Sequence, residues 1–173
     1  MNRSTIATLV CVLGLGLCTF SLSWAATAPK SQGTLVIRDV QGDICTLPGP
    51  APGTTVNYDF TAPTSPCPND KTFSMEIVEF PSAMTILMTD NSHCEKNFND
   101  YGGEFWLELK TTKKLTTSSK IREIAHIASS PPGTIIDPGV LLVAVEKKDG
   151  HVIIRDNVSC IKITASGTPP ANK

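Results

Sequence analysis

The sequence predicts an all-β protein, an antiparallel β-sandwich or Greek-key domain with at most one short helix and two disulfides. Three observations carry that expectation. Short segments alternate apolar and polar side chains, most clearly over 104–111, where Phe105, Leu107 and Leu109 alternate with Trp106, Glu108 and Lys110. A period of two is that of a strand with one buried face. Proline and glycine clusters interrupt the chain at 48–53, 62–70, 131–133 and 137–139. Proline lacks an amide donor and glycine costs backbone entropy, so neither helix interiors nor central strands accommodate such clusters. The third observation is an even set of cysteines in an exported chain.

Export is read from residues 1–25. Arg3 supplies a positive start, 6–22 is mostly apolar, and Ser23-Trp24-Ala25 places small residues where a signal peptidase reads them. Cleavage after Ala25 is expected, because cleavage after Ala28 would set the rigid ring of Pro29 against the scissile bond. Lipid attachment at Cys18 is rejected, since bulky Leu17 precedes it. The mature chain then carries 14 basic against 16 acidic residues with no basic run, which argues against a nucleic-acid partner. No other stretch approaches the roughly 20 apolar residues of a membrane span. A secreted or periplasmic location follows. Cys45, Cys67, Cys94 and Cys160 remain after processing, and two disulfides can join them in three ways. Cys45–Cys67 and Cys94–Cys160 are favoured, the first closing a loop too poor in apolar residues to hold itself, the second tying the central stretch to the last strand.

In chain order, 26–33 is a flexible tail and 34–165 a single β domain. Strands are expected at 34–40, around 44–47, at 54–60 as an edge, and at 72–80, where Phe73, Met75 and Ile77 share a face. A central unit spans 83–111: strand, a polar loop containing Cys94, and strand. Residues 118–130 suit either a short amphipathic helix capped by Ser118 or Ser119, or a strand. Residues 140–147 and 151–155 read as a hairpin around Asp149-Gly150, a pair that tolerates positive φ. A closing strand covers 159–165, and 166–173 is expected to be disordered.

The motif search finds no nucleophile elbow, phosphate loop, dinucleotide fingerprint or paired-histidine spacing, so no catalytic residues are assigned and an enzyme is not expected. His93 beside Cys94 loses its meaning as a thiol–imidazole pair once Cys94 is oxidised. The central loop is rich in hard oxygen donors and turn residues, the mix calcium favours. Asn97-Phe98-Asn99-Asp100-Tyr101-Gly102-Gly103-Glu104-Phe105-Trp106-Leu107-Glu108-Leu109 resembles the aromatic-plus-glycine hairpin of βγ-crystallin-type Greek keys, and Thr116-Thr117-Ser118-Ser119-Lys120-Ile121 is similar to that family's calcium segment. The resemblance covers about 30 residues. It implies a Greek-key fold and a calcium site, with Thr116 and Thr117 standing where that family has acidic or amide ligands.

The functional expectation is a binding domain whose target is a protein or a glycan, of inhibitor, toxin or adhesin type. Its surface would be Asn97, Asn99, Asp100, Tyr101 and Trp106, with the proline-rich loops at 48–53 and 63–68 beside it. No cofactor is assigned, although Asn99, Asp100 and Glu104 are the candidate calcium ligands. The rivals are a structural envelope component that assembles through sheet edges and a calcium-binding βγ-crystallin-like protein.

Overall fold

The computed structural model describes residues 32–98 and 103–167. The expected leader, most of the N-terminal tail and residues 168–173 lie outside them. Among the described residues, twelve short strands and one helical turn follow in order: β1 (Thr34–Arg38), β2 (Ile44–Pro48), β3 (Thr55–Asp59), β4 (Ser74–Val78), β5 (Phe80–Pro81), β6 (Met84–Thr89), β7 (Phe105–Thr111), β8 (Leu115–Thr116), β9 (Arg122–Glu123), α1 (Ile124–Ile127), β10 (Ile135–Asp137), β11 (Val140–Lys147) and β12 (Cys160–Ala165).

The strands form a four-stranded sheet in the order β2-β1-β4-β9, a six-stranded sheet in the order β10-β11-β7-β6-β12-β3, and a small β5-β8 ladder. All pairings are antiparallel. Within the larger sheet, β12 returns to lie beside β6, in the neighbour order β12-β6-β7-β11, with β8 and β9 leaving for the other sheets between β7 and β11. Register explains the core. Ile163 faces Ile86, which faces Leu109 and through it Leu142. One pleat along, Ile161 faces Met88 and Met88 faces Leu107. All seven of these side chains are fully buried. Leu35, Ile37, Leu47, Met75 and Ile77 of the smaller sheet join the same hydrophobic cluster, so the two sheets share one core. A one-residue slip would turn each of these rows to solvent, which is what holds the register.

Both disulfides pair as expected: Cys45–Cys67 with Cα atoms 5.5 Å apart, and Cys94–Cys160 with 5.1 Å. The chain is tied just inside its described ends. Gly33 has φ +78°, and a Cβ there would stand 2.4 Å from the Glu79 carbonyl oxygen. At the other end the Ser166 hydroxyl donates to the Ala83 carbonyl at 2.8 Å, so Ser166, expected to be disordered, is hydrogen-bonded in place.

Two expectations are corrected. The hairpin between 140–147 and 151–155 does not form. Asp149-Gly150 does turn the chain, with Asp149 Oδ1 accepting from the His151 amide at 2.8 Å. β11, however, pairs along its whole length with β7, and residues 151–155 leave the strand direction to bury Ile154 at 4% exposure. β7 takes only one edge of β11, so what outweighs the local turn is burial of Ile154 and Val158 in the core. The second correction concerns 118–130, which is neither one helix nor one strand. Ser118 and Ser119 cap nothing. Ser118 accepts from the Ile77 amide at 2.9 Å, and Ser119 donates twice to the Asp137 carboxylate at 3.0 Å. These bonds hold the segment extended until β9 completes the smaller sheet, and only then does a single turn bury Ile124 and Ile127.

Candidate functional site

The pleat that buries Phe105, Leu107 and Leu109 must present Trp106, Glu108 and Lys110 on the opposite face of the six-stranded sheet. Register extends that outer face across neighbouring strands. Thr164 of β12 lies between Thr55 of β3 and Thr85 of β6, and Lys162 lies between Asn57 and Leu87. Leu87 in turn faces Glu108, and Thr89 faces Trp106. The Thr55 and Thr164 hydroxyls meet at 3.0 Å.

The central loop folds over this face. Its first turn is fixed by hydrogen bonds: the buried Thr89 hydroxyl donates to the Asn91 carbonyl, and the Asn91 side chain donates to the Glu95 carbonyl while accepting from the Glu95 amide. Asn91 is only 3% exposed, a burial that an amide bonded through both its nitrogen and its oxygen tolerates. Asp90 closes the loop's far end, accepting from the Glu104 amide at 2.6 Å and the Phe105 amide at 3.3 Å. Burial pushes the Asp90 carboxyl above its ordinary pKa, with the nearby Glu104 charge adding to the rise and the backbone donors opposing it. Gly103 fits this closure because a Cβ would stand 3.0 Å from Asn91 Nδ2 and 3.2 Å from Asp90 Oδ1. Cys94, at φ +54°, then crosses to Cys160 and staples the loop to the outer face.

Between loop and sheet lies a groove of about 480 Å³, floored by Thr85, Leu87, Glu108, Lys162 and Thr164 and overhung by the loop residues 94–97. That volume falls in the range of ligand sites. Lys96 on the lip is ion-paired with Glu108, and its ammonium stands 4.7 Å from the centroid of the Trp106 ring. The half-buried Trp106 keeps its Nε1 buried without a hydrogen-bond partner. A larger cleft of about 520 Å³ opens beside α1, β9 and β10, but Arg122 there is committed to the buried Asp137, which ties β9 to β10.

Of the residues singled out in the sequence, Asn97 lines the groove and Trp106 shares its face. Asn99, Asp100 and Tyr101 lie outside the described residues. Glu104, the remaining candidate calcium ligand, has an exposed side chain, while its amide is held by Asp90. Among the described residues no three His, Cys, Asp or Glu side chains converge as a metal site. Thr85, Leu87, Lys162 and Thr164 were missed. They belong to β6 and β12, which are far apart in sequence, and only the pairing of those strands brings them together. The chain matches no protein-family model, no curated protein and no solved structure.

Proposed function

We propose that this is an exported domain that acts by binding, not turnover, and that its target is a protein held in the groove between the central loop and the outer sheet face. The observation that carries the reading is the groove's construction. Its floor is a sheet fixed by core register, and its lip is fixed by Cys94–Cys160. A site preorganised in this way loses little conformational entropy on association. Two disulfides suit the oxidising compartment to which residues 1–25 would direct the chain.

A protein is favoured over a glycan because Lys96 already occupies a face of Trp106, the aromatic ring a sugar would stack on. The floor instead offers the Lys162 ammonium and the Thr85 and Thr164 hydroxyls around Leu87, a mixture of hydrogen-bonding and apolar contacts suited to a polypeptide. The test is selection of a displayed peptide library on the oxidised protein, followed by rebinding to the Lys162→Glu/Thr164→Lys variant. Selected clones should lose at least about tenfold in affinity for a variant that melts within a few degrees of wild type. Clones that bind both forms equally, or a library that enriches nothing while a glycan array does, would overturn the reading.

A further inference from the structure

The Cys45–Cys67 staple gathers the β1–β2 turn and the proline loop around a small pit of about 100 Å³. Its walls are Ile37, Ile44, Pro66, Pro68 and the disulfide itself, and Asp39, Asp43 and Lys71 also line it. This is about a third of the smallest usual small-molecule site and close to the space of one side chain. Three further features distinguish it from an ordinary surface hollow. Ile44 of its wall stands 57% exposed, an apolar side chain held open at the rim. Asp39 and Asp43 belong to one turn, where Asp39 Oδ1 accepts from the Asp43 amide at 2.9 Å, and neither carboxylate is ion-paired among the described residues. Thr72, which lines the pit, is 1% exposed and its buried hydroxyl has no hydrogen-bond partner. A buried hydroxyl without a partner is costly unless something completes it.

We infer that this pit is an anchor site for one basic side chain, a lysine or arginine, presented by a partner protein. Long basic side chains are apolar along the stem and charged at the tip. The stem fits the isoleucine, proline and disulfide walls, and the tip meets two carboxylates against the single cation Lys71. Anchor residues of protein interfaces sit in such preformed pockets with an apolar surround, which Ile44, Pro66 and Pro68 supply. The inference rests on the reading that the domain acts by binding, but it concerns a different surface. The groove variants leave the pit intact, so failure of one is distinguishable from failure of the other.

The test is an amide NMR titration of the oxidised protein with three blocked amino acids, acetyl-lysine, acetyl-norleucine and acetyl-glutamate N-methylamides, at constant ionic strength. Acetyl-lysine should shift the amides of 39–45 and of 67 and 69–72, with acetyl-norleucine binding at least about tenfold more weakly and acetyl-glutamate not at all. Asp39→Asn/Asp43→Asn should erase the advantage of lysine over norleucine while leaving the melting temperature within a few degrees, since Asn retains the Oδ1 acceptor. Equal binding of the lysine and norleucine compounds, a lysine preference that persists in the double variant, or no shift at the pit with acetyl-lysine would each overturn the inference.

Discussion

The two disulfides should contribute unequally to stability, and the structure sets the order. Cys45–Cys67 closes 22 residues and Cys94–Cys160 closes 66. In the chain-entropy account the denatured state loses freedom with the logarithm of loop length, which gives about 3.4 kcal/mol for the shorter loop and about 4.3 kcal/mol for the longer. Packing widens the gap. Cys94 and Cys160 are both fully buried, whereas Cys45 is only half-buried, so replacement by alanine leaves the larger void at the longer bridge. The loops do not overlap in sequence, so the two losses should be close to additive. Together they reach about 8 kcal/mol, comparable to the whole stability of an ordinary domain. The assay is urea unfolding of Cys45→Ala/Cys67→Ala and Cys94→Ala/Cys160→Ala, read at the midpoint with the slope monitored. The Cys94 pair should cost more by about 1 kcal/mol or above, and the variant lacking all four cysteines should be largely unfolded at 37 °C. A larger loss from the Cys45 pair, or losses below about 1 kcal/mol from both, would refute the reasoning.

Two other perturbations follow from single side chains. Thr111 is 1% exposed, and its hydroxyl donates to the Pro81 carbonyl while accepting from the Met84 amide, so Thr111→Val strands both backbone groups and should cost about 2–4 kcal/mol in urea unfolding. Asp90 has a folded pKa above its unfolded one, so the folded state binds that proton more tightly. Its contribution is therefore fully present below the ordinary carboxylate value and is lost as pH rises through the raised one. Relative to wild type, Asp90→Asn should gain in melting temperature as pH rises from below the ordinary carboxylate value through the raised one, and parallel curves would contradict the assignment.

Much of the fold was legible because local pattern and tertiary demand agree. In β7 the alternation from Phe105 to Thr111 is the burial pattern itself. In β12 and β6 the same holds on the face that meets the core. Legibility failed where the two conflict. Asp149-Gly150 is a strong hairpin signal, but a hairpin there would leave Ile154 and Val158 without the core they fill at 4% and 0% exposure. Ser118 and Ser119 look like helix caps in sequence. They act as bridges to Ile77 and Asp137, partners 41 and 18 residues away, which no local reading contains.

The groove and the pit show why function was the harder inference. Each is made where a disulfide draws a polar or proline-rich loop against strands from elsewhere in the chain, and pairing the cysteines locates the place without supplying its floor. Asn97 and the Cys94 bridge were visible in the central loop, while Lys162 and Thr164 became part of the same surface only because β12 returns beside β6. The same logic places Asp39 and Asp43 at the pit. They look like ordinary turn residues until Cys67 carries Pro66 and Pro68 across to face them. A β domain with a small helix content has few long local elements on which to build a site, so loops must be held by something other than their own contacts. Here the covalent links add to the Asn91 and Asp90 hydrogen bonds in that holding, which makes both surfaces sensitive to oxidation state. A reduced protein that kept both surfaces intact would remove the argument for either.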